Sequence, residues 1–257
     1  MKIPQTAMLT LTPLPGIPLV QQGDDLARLI LDSARAAGIS LLEGDILVLA
    51  QKIVSKAEGR RVHLPDISSC PEADELAART GKDPRLVQLI LDESREVLRA
   101  RPGLIIVEHR LGFVCANAGI DHSNVLGSED WVLLLPVDPD ASAGRIRGVL
   151  EAAAGVRLGV LVIDSHGRAW RNGTVGAAIG VSGVPGVVDL RGEHDLFGRE
   201  LVASIVGAAD ELAAAASLVM GQVAEGTPVV LARGFPYPLR DGSLQEILRA
   251  RESDLFR

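Results

Sequence analysis

Three apolar stretches of this chain break off into polar residues, and each break is a place where chemistry can sit. They read AQKIVSK (50–56), CANAGIDHSN (115–124) and IDSHGRAWR (163–171). A fourth polar stretch, VMGQVAEGTP (219–228), follows an alanine-rich run. Rigid elements commonly carry catalytic side chains on the segments just past their ends. Asp121 and Asp164 are the metal candidates, because a hard divalent cation wants oxygen ligands and often takes only one or two carboxylates. A lone aspartate after a strand is ordinarily a turn former or helix cap; two such sites, each beside further polar groups, leave both readings open. Only four of the 26 basic residues are lysines, and two of those, Lys52 and Lys56, fall within one five-residue window. On a strand they would share a face and could meet phosphates as point charges; an exposed basic edge is the plainer alternative. Arg168 and Arg171 have planar donor forks suited to carboxylate or phosphate oxygens, or they belong to a solvated hairpin.

Several familiar chemistries are missing. Gly173, Gly176, Gly180 and Gly183 form no GxGxxG, and TGKDP at Thr80 is not a P-loop. No serine sits in GxSxG. His122 reads as a bystander in a polar turn, and His63, His109, His166 and His194 have no metal-like spacing. The residues alone reach metal-assisted chemistry on an anionic ligand, phosphorylated or not, and stop there.

The elements that must position these groups follow from periodicity. Met8–Leu14 predicts a strand. GDDLARLILDSARAAG predicts a helix capped by Asp24 or Asp25 and ended by Gly38. Ile46–Ala50 predicts a buried strand that turns polar at Gln51. DPRLVQLILDESREVLR predicts a helix with Leu86, Leu89, Ile90 and Val97 along one stripe. GLIIVEHRLGFVCANAG predicts two strands about a turn at His109–Gly112, and WVLLLPV another strand. DPDASAGRIRGVLEAAAG predicts a helix with Asp138 as cap, Pro139 at the first position and Gly155 as stop. LGVLVID predicts a buried strand ending on Asp164, followed by a glycine-rich loop region from Ser165 to Gly186. VVDLRG predicts a short strand, Arg199–Val223 the longest helix, PVVLARG a late strand, and the tail is polar and helical. Helices and strands mix without strict βαβ alternation, which predicts an α+β, mixed-sheet architecture and not a regular Rossmann fold.

Bulk properties exclude several classes. With 257 residues, 47% of them hydrophobic, the chain can bury a sizeable core. A net charge of −7 and 3% aromatics argue against nucleic acid as a partner. No run approaches the roughly 20 apolar residues of a membrane helix. Met1–Thr10 lacks a signal-peptide pattern, and Cys70 and Cys115 form no CxxC. A cytoplasmic chain with reduced cysteines is expected.

The motifs GIPLVQQGDDL, KIVSKAEGR, VCANAGIDHSN, DSHGRAWRNGTVGAAIG and ADELAAAASLVMGQVAEGTPVVLARG, in that order, resemble those of the coenzyme F-420-0:gamma-glutamyl ligases. The segment His63–Arg101 matches no motif of that set. The resemblance implies a GTP-dependent ligase that adds L-glutamate to a deazaflavin cofactor precursor. It also implies Mg²⁺ or Mn²⁺, a stimulatory K⁺, and a homodimer built as a two-part α+β unit, taken here as one unit (1–257) of two intertwined subdomains. By motif, Asp121 and Asp164 correspond to metal ligands, with Ser165 beside them. Gln222 falls at a third metal position where other members carry glutamate, which leaves one charge fewer. Ile17, Pro18, Leu19, Val20, Gln51, Lys52, Lys56, Asn124, Ser165 and the loop Met220, Gly221, Gln222, Val223, Ala224, Glu225, Gly226, Thr227 correspond to nucleotide-binding positions. Lys56, Asp121 and Asp164 would carry the catalysis. Asn117 and Gly119 would shape the turn that presents Asp121 and Asn124. Some relatives carry a further C-terminal reductase-like domain, which this chain is expected to lack. Two other readings remain: a metal-dependent ligase or kinase acting on another carboxylate, and a non-catalytic nucleotide- or deazaflavin-binding homologue.

Overall fold

Two parallel strands lie side by side in the main sheet, and their pairing stops where the first of them gives way to a helix. The structure is a computed structural model and describes residues 8–122, 125 and 129–254. Strand β1 is Thr10–Pro13, helix α1 Leu26–Ala36 and strand β2 Ile46–Ala50. Helix α2 is Gln51–Ala57, and strand β3 is Arg61–His63. Helices α3 (Pro71–Thr80) and α4 (Pro84–Asp92) lead into the antiparallel β4 (Ser94–Arg101), β5 (Leu104–His109) and β6 (Val114–Ala116). Strand β7 (Trp131–Leu133), helix α5 (Pro139–Ala154), and strands β8 (Gly159–Arg168) and β9 (Arg171–Ser182) follow. The short strands β10 (Val188–Asp189) and β11 (Ile205–Val206), helix α6 (Ala208–Met220), strand β12 (Val229–Arg233) and helix α7 (Leu244–Ile247) complete the chain.

The main sheet has five strands in the order β1-β12-β2-β8-β9. Only β2 and β8 run parallel; the other pairs are antiparallel. The molecule is therefore α+β with a mixed sheet. Strand alternation divides its core. Leu47, Leu49, Val160, Val162 and Leu231 join one cluster with Ile30 of α1 and Ile146 and Leu150 of α5. Ile46, Val48, Leu161, Ile163 and Val230 join another with Leu212, Ala213 and Ala216 of α6. Burial of each such aliphatic side chain contributes roughly 1.5–3 kcal/mol.

Several local expectations hold. Asp138 caps α5 by accepting from the Ala141 amide at 2.9 Å, with Pro139 at its start and Gly155 in the left-handed region at its end. Asp25 caps α1. Others need correction. After Ala50 the chain turns into α2, so Lys52 and Lys56 are i,i+4 on a helix; they still share a face because that spacing is also one helical turn. The helix expected through Val97 stops at Asp92, and Val97 lies on β4. Asp164 does not end a strand, since β8 runs on to Arg168. The expected loop after it is mostly the β8–β9 hairpin. The helix expected over Arg199–Val223 is confined to Ala208–Met220, and the longest helix is the 16-residue α5. Among the described residues of the tail only Leu244–Ile247 and a single 3-10 turn, Arg251–Ser253, are helical.

Candidate active site

The register of the parallel pair places the first polar residues together. Ala50 of β2 is the partner of Ile163 of β8, so Gln51 and Asp164 leave the apolar core at the same edge. The edge beyond the carboxyl ends of parallel strands is where α/β sheets commonly bind ligands. Alternation on β8 then divides the next two side chains. Asp164 follows Val160 and Val162 toward the α1–α5 side, and Ser165 points toward α6.

A cleft of about 710 Å³ opens at this edge. Its walls are Ile17–Gln21, Ala50–Ile53 with Lys56, Ile163–Ser165, and the segment from Met220 to Pro228. Ile17, Pro18, Leu19, Val20, Gln51, Lys52, Lys56, Asp164, Ser165 and all of Met220–Thr227 thus surround one space, although they come from four distant parts of the sequence.

Asp121 does not line the cleft itself but is held by two residues that do. Gln51 Nε2 donates to Asp121 Oδ2 at 2.6 Å, and Lys52 Nζ lies 3.3 Å from Asp121 Oδ1. The Asp121 backbone is pinned to Leu133 of β7 by two hydrogen bonds, of 3.0 and 2.9 Å. Just before it, Asn117, Ala118 and Gly119 take φ values of 49°, 53° and 66°. The Ile105 amide donates to Asn117 Oδ1 at 3.1 Å, and a Cβ on Gly119 would lie 2.7 Å from Leu135 Cδ1. Asn117 and Gly119 therefore shape the turn, as expected, and the left-handed non-glycine residues store strain in it. Asn124 lies outside the described residues.

Electrostatics at this edge are unbalanced. Burial pushes the Asp121 carboxyl up to about 6, and the Asp164 charge adds to that, while Lys52 and Gln51 act against it. Burial also lowers Lys56, helped by the charges of Arg61 and Lys52. His166, two positions along β8 from Asp164, brings Nε2 to 3.2 Å from Asp164 Oδ2 and packs against Phe113 with centroids 5.0 Å apart. Gln222 follows Gly221, whose φ is 75°. Its Oε1 accepts from Ser165 Oγ at 3.0 Å, and its Nε2 donates to Ser217 Oγ of α6 at 3.0 Å. Thr227 Oγ1 donates to the Met220 carbonyl at 2.9 Å and closes the loop between them.

Not every sequence candidate reaches the cleft. Arg168 and Arg171 are cross-strand partners at the exposed end of the β8–β9 hairpin and do not line it. His122 is exposed. Conversely, Arg61 lines the cleft and His166 adjoins Asp164, and sequence reading singled out neither. His166 was legible in principle, because strand alternation puts i and i+2 on one face. Arg61 carried no local signal.

The sheet edge and its side chains define a class: an α+β protein whose cleft gathers lysines and half-buried carboxylates where the pairing of two parallel strands stops. A sequence model of the family F420-0:Gamma-glutamyl ligase matches residues 16–234. The chain is 52% identical over 244 residues to "Coenzyme F420:L-glutamate ligase" of Methanothermobacter thermautotrophicus, covering 94% of this chain and 96% of that protein. The protein of the same name from Methanopyrus kandleri is 48% identical over 253 residues, covering 97% and 98%. That from Archaeoglobus fulgidus is 44% identical over 245 residues, covering 95% of each. The chain belongs to the F420-0:gamma-glutamyl ligase family.

Proposed function

We propose that this protein is a GTP-dependent ligase that adds L-glutamate to the carboxylate of the deazaflavin coenzyme F420 precursor. The observation that carries this reading is that Asp121 pairs with Lys52 and feels the charge of Asp164, two residues that line one cleft, in a chain of this family. The relatives it matches are named for joining L-glutamate to coenzyme F420. Among the described residues no helix is long and apolar enough to cross a membrane.

A carboxylate is a poor acyl donor because its leaving group would be oxide. In the proposed reaction its oxygen attacks the γ-phosphorus of GTP, forming a C–O–P linkage as the β–γ bridge breaks and GDP leaves. The α-amino nitrogen of L-glutamate then attacks the acyl carbon. The C–N bond forms, the C–O bond to phosphate breaks, and the amine gives its protons to solvent and phosphate. For this the protein needs to position reactants and neutralise phosphoryl charge. Lys56 and Lys52 supply positive charge at the phosphate end. Ile17–Val20 and Met220–Thr227 are the walls against which the nucleotide lies.

A divalent cation fits the residues present. Among the described residues no group of three or more His, Cys, Asp or Glu is placed to hold a metal ion by itself. Asp121 and Asp164 nevertheless repel each other as carboxylates, and Ser165 Oγ and Gln222 Oε1 offer neutral oxygens on the lining of the same cleft as Asp164. Mg²⁺ and Mn²⁺ suit such a set, completing their shell with water and phosphate oxygens. When bound, the cation would offset the charge that builds on the phosphates. Stimulation by K⁺ and assembly as a homodimer belong to the same proposal.

The test is to incubate the protein with GTP, Mn²⁺, L-glutamate and the glutamate-free deazaflavin, and to read product masses. Mass increments of glutamyl residues with stoichiometric GDP are expected. GDP release with a different carboxylate only would move the protein to another ligase or kinase activity. Tight nucleotide binding without product would make it a non-catalytic homologue.

A further inference from the structure

Arg60 and Arg61 are neighbours in sequence with different destinations. Arg60 reaches Glu93 inside the protein, with Nη2 2.9 Å from Oε1. Arg61, the first residue of β3, lines the cleft. Its Nη2 donates to the Val20 carbonyl at 3.0 Å, and its Nη1 donates to Gln21 Oε1 at 3.0 Å. These two bonds bridge 40 residues of sequence and take hold of the cleft wall formed by Ile17–Val20.

The backbone of Arg61 is tied to the opposite side of the site. Arg61 pairs with Leu133 of β7, and Leu133 in turn bridges to Asp121. Directly paired cross-strand residues project to the same side of their ladder. Arg61 and Asp121 therefore stand on one side of a single three-residue rung. The Arg61 charge is felt at Lys56, where it opposes a further positive charge. One side chain thus connects an apolar wall to the cationic and acidic end of the cleft.

We infer that Arg61 is a nucleotide-positioning residue, which fixes the Ile17–Val20 wall at a set distance from the phosphate end defined by Lys56 and Asp121. The inference rests on the ligase reading above. A planar fork makes two divergent hydrogen bonds with little loss of freedom, whereas a lysine supplies the charge from a single point. The charge alone should accordingly be a partial substitute.

The experiment measures GTP binding by calorimetry, and steady-state kinetics against both GTP and L-glutamate, for the parent protein, Arg61→Met, Arg61→Lys and Gln21→Ala. The expected result is a GTP Kd at least tenfold weaker in Arg61→Met and an intermediate loss in Arg61→Lys. Gln21→Ala, which removes one acceptor and no charge, should weaken GTP by a few fold. The glutamate KM, and kcat at saturating GTP, should stay within a few fold of the parent in Arg61→Lys and Gln21→Ala. These two variants keep the test decisive if Arg61→Met folds poorly. A GTP Kd unchanged in Arg61→Lys and Gln21→Ala would overturn the inference. So would a rise in glutamate KM with GTP binding intact, which would put Arg61 on the amino acid instead. A parent protein that binds no GTP and makes no glutamyl product would remove the ligase reading itself, and this inference with it.

Discussion

Two carboxylates of this protein, Glu93 buried and Asp121 half-buried, face opposite ways electrostatically. Glu93, 5% exposed, receives Arg60 at 2.9 Å and Arg110 at 3.0 Å, with His109 Nε2 at 3.7 Å. Burial acts to raise its carboxyl, but His109 and Arg60 outweigh that and hold it below the usual range. Asp121 has Lys52 and Gln51 beside it, yet burial and the Asp164 charge push it up to about 6. Desolvation acts to raise both carboxyls, so desolvation alone identifies no site. The difference is that the charge of Glu93 is answered within the protein, whereas that of Asp121 is only partly answered. A partly answered, half-buried charge beside an open cleft points to a group kept for something that binds. The two clusters also touch, since Phe113 stacks on His109 at 5.1 Å and meets His166, the neighbour of Asp164.

The contrast predicts opposite consequences for removing each carboxylate. Glu93→Ala strands two guanidinium groups and should cost about 3–5 kcal/mol of unfolding free energy, the usual result of breaking a buried ion pair. Urea unfolding measures it, and a loss under roughly 1 kcal/mol would dissolve the contrast. The Glu93 contribution, fully present above the unfolded-state carboxyl pKa, should also fade as pH falls through its depressed folded pKa, because the unfolded chain takes up the proton at a higher pH than the folded one.

Asp121→Asn should do the reverse. Turnover should fall at least hundredfold, about 2.7 kcal/mol in barrier, while the fold survives. In metal-free protein the variant should even be more stable at pH 8. The sign follows from linkage: folding raises this acid from 3.8 to about 6. The folded state then holds the proton more tightly, and stability drops as pH climbs through that window. The shift caps the gain at about 3 kcal/mol, and loss of the Lys52 contact reduces it. Between pH 8 and pH 4 the gap between variant and parent should close, as read by thermal melts with chelator present. A variant less stable than the parent at every pH would make Asp121 a structural residue like Glu93.

Helix α5 was legible from sequence because its signals are local: Asp138, Pro139 and Gly155 stand at its boundaries. So were β2, β5 and β12, as apolar runs between polar breaks. The β8–β9 hairpin was not, because its glycines read as loop. Their reason is tertiary. A Cβ on Gly176 would lie 2.4 Å from the Ala213 carbonyl of α6, and one on Gly180 would lie 2.5 Å from the Pro139 carbonyl. These strand glycines are where helices press against the sheet. Helix α2 was hidden for another reason, since seven residues containing Ile53 and Val54 fit either period. The candidate site was legible as motifs, and its assembly was not: the register of Ala50 with Ile163, and the reach of Arg61 to Val20, join segments over 40 to 110 residues apart.

Gln222 offers the finest test of the contrast, because it stands between the two conditions. Its amide is answered on both sides, by Ser165 at Oε1 and by Ser217 at Nε2, as in a structural cluster. Yet it faces the cleft beside Ser165 and Asp164, as in a functional one. A neutral amide oxygen can hold a hard cation but lacks a carboxylate's charge. If the residue is kept for a cation, Gln222→Glu should tighten Mn²⁺ binding several-fold and lower the metal concentration needed for turnover. The rate at saturating metal need not rise, because tighter ground-state binding alone leaves the barrier where it was. Gln222→Ala should weaken metal binding by a similar factor. If the amide serves only to stitch the 220–227 loop to α6, both substitutions should lower the melting temperature and leave the metal titration alone. Calorimetric Mn²⁺ titrations of the three proteins separate these outcomes, and superimposable curves would place Gln222 with Glu93 rather than with Asp121.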